Sequence, residues 1–121
     1  MVDKPHKRLL AWQKSMELVV MVYTLTKAFP KDETYGLASQ LRRAAVSVPS
    51  NISEGAAGRS PEQFKNFLSI AIGSLNEVST QLEIARRVGY LEESTYNDAE
   101  RLTDECLALT FGLKKKITSD H

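Results

Sequence analysis

Apolar side chains recur along this chain at steps of three and four residues, a spacing that predicts helices rather than strands. The clearest series is Phe64, Leu68, Ala71, Leu75, Val78, Leu82, Ala85 and Gly89, a heptad-like seam about seven turns long. A second face carries Leu37, Leu41, Ala44, Ala45, Val48 and Ile52, and another carries Ala99, Leu102, Cys106, Leu109, Leu113 and Ile117. The first helix is predicted from about Leu9 to Phe29, because Pro30 disfavours helical geometry at the residue before it and Lys31-Asp32-Glu33 is a polar connection. The second begins near Thr34. Pro49 has no amide hydrogen to give the Ala45 carbonyl, so a kink or a break is expected there. Residues 55–59 form a glycine-containing loop. Ser60-Pro61-Glu62-Gln63 then supplies a cap, a first-turn proline and a capping-box glutamine for the third helix. Gly89 is placed to end that helix, and a fourth starts near Ser94 or Thr95. Four such helices joined by short connections predict an all-α fold, an antiparallel up-down four-helix bundle over residues 9–117, with flexible segments at 1–8 and 118–121.

Length and composition narrow the class further. With 121 residues, 42% hydrophobic and 26% charged, the chain suits one soluble globular domain. The longest stretch without a charge, Asn66 to Asn76, falls well short of the roughly 20 residues of a membrane span, and Leu9 to Trp12 is too short for a signal peptide. A cytoplasmic location with no membrane partner is therefore expected. A single cysteine, Cys106, excludes an internal disulfide or a thiolate cluster.

Two helices carry more apolar surface than one core stripe requires. On the third, Ile70, Ile84 and Val88 project roughly opposite the heptad seam. On the first, Leu18 to Tyr23 is continuously apolar; if Trp12, Met16, Val19 and Tyr23 face the core, then Leu18, Met21 and Leu25 point outward. Burial against another copy of the chain is the simplest explanation, which makes these six residues candidates for an oligomer interface. The alternative is an irregular bundle that wraps them itself.

Polar positions are patterned as well. Gln40, Arg43, Ser47, Asn51 and Glu54 stack along one side of the second helix, with Glu77 as a possible partner across a helix contact. They suit a network that satisfies a partly buried arginine, or else a polar pocket for a ligand. Arg42 projects away from the core on this reading. Together with Arg59, Arg86, Arg87, Lys114, Lys115, Lys116 and the amino-terminal Lys4, Lys7, Arg8 and Lys14 it is a candidate for phosphate contacts, each patch having a solvated surface as its plainer explanation. The net charge of +1 means that any such partner must act through local patches. Catalytic signatures are missing: His6 and His121 lie in the terminal segments, Cys106 sits in the inward seam, and no phosphate loop or HExxH occurs. No enzyme activity, cofactor or metal site is expected.

The segments Trp12-Gln13-Lys14-Ser15-Met16-Glu17-Leu18, Gln40 through Gly55 with its arginine pair, Val-Pro-Ser-Asn and Glu-Gly, and Gly73-Ser74-Leu75-Asn76-Glu77 are specific. They resemble the four-helix-bundle proteins encoded in intervening sequences of bacterial 23S ribosomal RNA genes. The resemblance spans about residues 9–117. It implies a left-handed up-down bundle assembled into a ring-like homopentamer, with nucleic-acid binding suspected for the family. Related bundles serve as accessory proteins of diversity-generating retroelements. Arg42, Arg43, Ser47, Asn51, Glu54, Ser74 and Glu77 match the family's typical positions, which adds Ser74 to the polar network. The expected function is a non-enzymatic homo-oligomer that binds RNA or DNA through repeated basic positions, with a protein-interaction scaffold as the alternative.

Overall fold

The computed structural model describes residues 2–119. Four helices carry the chain: α1 (Leu10–Thr26), α2 (Leu37–Gly55), α3 (Pro61–Arg87) and α4 (Glu93–Ser119). Short 3-10 turns cover Pro5–Arg8 and Lys31–Glu33, and no strand occurs among the described residues. Each helix packs on the next and α4 returns against α1, whereas diagonal pairs make no close contact. With short connections reversing the chain each time, this is the expected antiparallel bundle. The starts of α1 and α3 share one end with the finishes of α2 and α4; the opposite end holds residues 27–36 and 88–92.

Local chemistry sets the boundaries of α3. The Gln63 amide donates to Ser60 Oγ at 3.2 Å while the Ser60 amide donates to Gln63 Oε1 at 3.1 Å, a reciprocal capping box. At the other terminus Gly89 takes φ 86°, its amide reaches the Arg86 carbonyl at 3.1 Å, and Tyr90 N donates to the Ala85 carbonyl at 2.8 Å. These paired bonds close the last turn as a left-handed cap that glycine adopts without strain. Helix α1 stops at Thr26, earlier than Pro30 alone would dictate, because Ala28 and Phe29 bond the Leu25 and Thr26 carbonyls in a tightened turn. Helix α2 starts at Leu37, whose amide donates to Glu33 Oε1 at 3.1 Å, and Tyr90 donates its hydroxyl to Glu33 Oε2 at 2.9 Å. The Leu37 amide first, and the Tyr90 hydroxyl second, hold the Glu33 carboxyl below its ordinary range.

Two expectations need revision. Of the kink or break foreseen at Pro49, a break does not occur: α2 is one helix from Leu37 to Gly55. Burial of Val48, Pro49 and Ile52 holds the turn in place, and Ser50 Oγ and Asn51 Nδ2 each donate at 2.8 Å to the Val46 and Ser47 carbonyls beside it. The facing of α1 is also different. Its buried stripe is Ala11, Ser15, Leu18, Val22 and Leu25, while Met16 and Tyr23 are exposed. Leu18 and Leu25 therefore belong to the chain's own core and cannot line an outer interface; Met21 is half-buried. Ser15 tolerates this position by donating to the Trp12 carbonyl at 2.8 Å. Residues 5–8 form a 3-10 turn and α4 continues through Ser119. Met1, Asp120 and His121 lie outside the described residues.

In α4 the buried stripe is Ala99, Thr103, Cys106, Thr110 and Ile117, with Leu102, Leu109 and Leu113 half-buried on its flanks. Thr103 and Thr110 enter the core because their hydroxyls donate to the Ala99 and Cys106 carbonyls at 2.8 and 2.7 Å. Burial pushes the Cys106 thiol up to about 12.

Gly55 lies buried where α2 meets α3; a Cβ there would stand 2.7 Å from Phe64 Cδ1 and 3.0 Å from Phe67 Cβ. Gly55→Ala is expected to destabilise the fold by about 1–3 kcal/mol through overpacking. Gly112 lies in α4 with open space where a Cβ would project, so Gly112→Ala should stabilise by about 0.5–1 kcal/mol. Urea titrations of both variants check the opposed signs.

Candidate functional site

The polar positions separate once the helices are packed. Ser74 Oγ of α3 donates to Ser47 Oγ of α2 at 2.9 Å, and Asn51 Nδ2 donates to the same Ser47 oxygen at 3.0 Å. Ser47, Asn51 and Ser74 thus form a small hydrogen-bonded bridge between the two helices, filled by its own partners. Gln40, Arg43, Glu54 and Glu77 stand outside it and are exposed. Glu54 instead receives Arg59 at 2.7 Å, and Glu77 lies 3.5 Å from Gln81 Nε2.

The arginine pair is reversed relative to expectation. Arg43, expected to be partly buried among carboxylates, is exposed. Arg42, expected to face outward, is half-buried: its Nε donates to Thr26 Oγ1 at 2.8 Å and its guanidinium lies 4.7 Å over the Tyr23 ring. The physical reason is the rotation of α1, which turns Thr26 inward and lays Tyr23 against α2. Arg42 consequently ties α1 to α2 and has little freedom to meet phosphate.

The remaining basic candidates fall at opposite ends of the bundle. Arg86 and Arg87 both bond Glu83, and the Arg86 guanidinium stacks 4.8 Å over Tyr96. Arg86 first, then Arg87, holds the Glu83 carboxyl below its usual range. Arg87 is paired within α3, whereas Arg86 also reaches Glu93 at 3.5 Å and so ties α3 to α4.

At the other end, topology gathers the segments around residues 2–8, 54–65 and 114–116. They bring together eight basic side chains (Lys4, Lys7, Arg8, Arg59, Lys65, Lys114, Lys115 and Lys116) against three carboxylates (Asp3, Glu54 and Glu62). Arg8 pairs with Asp3, and Arg59 with Glu54. The six lysines have no carboxylate partner among the described residues. Lys115 is exposed and Lys114 half-buried. Sequence reasoning named all of these basic residues except Lys65, but as separate patches, since the three segments are distant in the chain. A charge sum per bundle end, computed from the up-down topology, would have found them.

Of the outward apolar candidates, Ile70, Ile84 and Val88 are exposed at 51, 44 and 54% along the outer side of α3. They flank Glu77 and leave an uncovered apolar stripe on one side of the bundle.

Arg42→Ala is expected to cost about 1–2 kcal/mol, the scale of a charged hydrogen bond together with an aromatic contact. Arg43→Ala should lie within about 0.5 kcal/mol of the parent, as exposed substitutions do. Paired chemical denaturation curves settle the order.

A family model described as 23S rRNA-intervening sequence protein matches residues 7–112. A crystal structure of a protein of unknown function from the S23 ribosomal protein family of Bacteroides thetaiotaomicron is similar at 25% identity. That match covers 88% of this chain and 96% of the other, with a TM-score of 0.80. No protein with a curated description matches the chain.

Proposed function

The chain belongs to the 23S rRNA-intervening sequence protein family, and on that premise we propose that it is a non-enzymatic, self-associating bundle that binds RNA or DNA through its basic end. The observation that carries this reading is the set of six lysines gathered at one end without carboxylate partners among the described residues. Unpaired lysines release the counterions of a phosphate backbone when they bind it, with no need to break an internal ion pair first. Contacts of this kind recognise charge rather than base sequence.

Self-association makes a modest patch effective. The exposed stripe of Ile70, Ile84 and Val88 offers a side-by-side contact, and a cyclic assembly, a pentamer on the family resemblance, repeats the same basic end in every copy. A nucleic acid that spans several copies then binds with an avidity no single bundle provides. Such a protein works where RNA and DNA are accessible, in the cytoplasm.

A protein-interaction scaffold is the second reading. It is favoured by the way Arg42 and Arg86 are held by Thr26, Tyr23 and Glu83, which leaves those two candidates little freedom for phosphate contact.

Light scattering and anisotropy with labelled single-stranded RNA and DNA across ionic strength test both readings. The parent chain is expected to form a multimer that binds at low salt and releases as salt rises. Lys114→Glu with Lys115→Glu should weaken binding about tenfold or more and lower the salt slope by about 2. Arg86→Glu with Arg87→Glu should change affinity less than about twofold, because these side chains contact no phosphate. Ile84→Asp should reduce the mass toward a monomer and lose the avid component. A multimer that binds neither nucleic acid at low salt would leave the scaffold reading standing instead.

A further inference from the structure

A groove of about 720 Å³ runs between the second half of α1 and the first half of α4, away from the basic end. It exists because α1 and α4 pack less closely than the other neighbouring helices and because Thr24, Ala28 and Thr95 are too short to fill the space between them. Met21, Leu25, Leu91 and Leu102 form its floor, and Val20, 64% exposed, stands on its α1 edge. From Glu17 to Thr26 the groove follows about 13 Å of α1, room for about two and a half turns of a partner helix laid alongside.

The rim of this groove is acidic. Glu17 marks one end and Glu92 the other. Asp98 and Glu105 continue the α4 line of Thr95 and Leu102 at steps of three and four. Lys14 answers Glu17 and Glu105 at 3.4 and 3.6 Å, and Arg101 answers Asp98 at 3.4 Å. Glu92 has no cationic partner among the described residues.

An apolar floor between carboxylates selects a helix with aliphatic side chains on one face and lysine or arginine beside them. We infer that the α1/α4 groove docks such a basic amphipathic helix from a partner protein. A second copy of this chain fits poorly, because its own uncovered apolar stripe on α3 surrounds Glu77 and would bring like charges together at Glu17 or Glu92. The groove is separate from both the lysine-rich end and the α3 stripe, so its occupancy does not depend on nucleic-acid binding.

The test is fluorescence anisotropy of the full chain with two labelled 14-residue helical peptides, one of leucine and lysine and one of leucine and glutamate in the same pattern. The leucine–lysine peptide should bind at least about tenfold tighter, reflecting charge complementarity at the rim. Val20→Asn, at an exposed position, should weaken that peptide about tenfold while circular dichroism shows the fold retained. Glu17→Gln with Glu92→Gln should narrow the difference between the peptides, and Ile84→Asp should leave groove binding unchanged. Absence of binding, equal affinity for both peptides, or binding lost in Ile84→Asp but not in Val20→Asn would overturn the inference. So would a fall in the protein's own mass caused by Val20→Asn, which would assign the groove to a second copy.

Discussion

Everything else in this bundle depends on the close approach of α2 to α3. Small residues permit it: Ala38, Ala44, Ala45 and Gly55 on α2, and Ala71 and Ser74 on α3, are all buried. Their short side chains bring the backbones near enough for Gly55 to lie against Phe64 and for Ser47 to meet Ser74. Close packing of this kind leaves few gaps and makes the contact intolerant of added volume. The helix continues through Pro49 within this contact, with Val48 and Ile52 both in the core. With α2 and α3 held in register, the outward side of α3 and the inward side of Arg42 are both decided.

Charge is organised by the same topology. The chain as a whole is nearly neutral, yet an up-down bundle collects the start of the chain, the α2–α3 connection and the last turns of α4 at one end. Lysines from three separate segments collect at that end. Arginines take the opposite part: Arg42, Arg59 and Arg86 lie over the rings of Tyr23, Phe67 and Tyr96 at 4.7–4.9 Å and bond oxygen atoms of their own chain. A planar guanidinium suits such stacked, multiply bonded positions, whereas a lysine ammonium remains hydrated and available. The division of labour between the two residue types is therefore physical: arginine locks the bundle and lysine supplies its accessible charge.

The molecule consequently presents three distinct surfaces. One end is lysine-rich, the α3 side carries exposed isoleucine and valine, and the α1/α4 side holds an apolar groove rimmed by carboxylates. Among the described residues no helix is long and apolar enough to cross a membrane. Opposite charge thus sits on separate surfaces of one nearly neutral chain.

From its sequence alone, the protein's helices, their order and most of their ends were determined. Heptad spacing along α3, the Ser60-Pro61-Gln63 cap and the Gly89 stop are local chemistry and need no partner helix to be recognised. The polar bridge was legible in part, because Ser47 and Asn51 lie four residues apart on one helix and bond directly. What only the tertiary structure decided was rotation. In α1 the unbroken apolar run from Leu18 to Tyr23 has no periodicity to orient it, and the true stripe includes Ser15, a residue whose side chain satisfies itself on the preceding turn. The buried threonines of α4 escape a hydrophobicity pattern for the same reason. A helix turned by one position exchanges Arg42 for Arg43 and sends Leu18 inward, and only packing against neighbours on both sides fixes that angle. The helical period is written along one segment of chain, while burial and charge clustering arise between segments that meet only after folding.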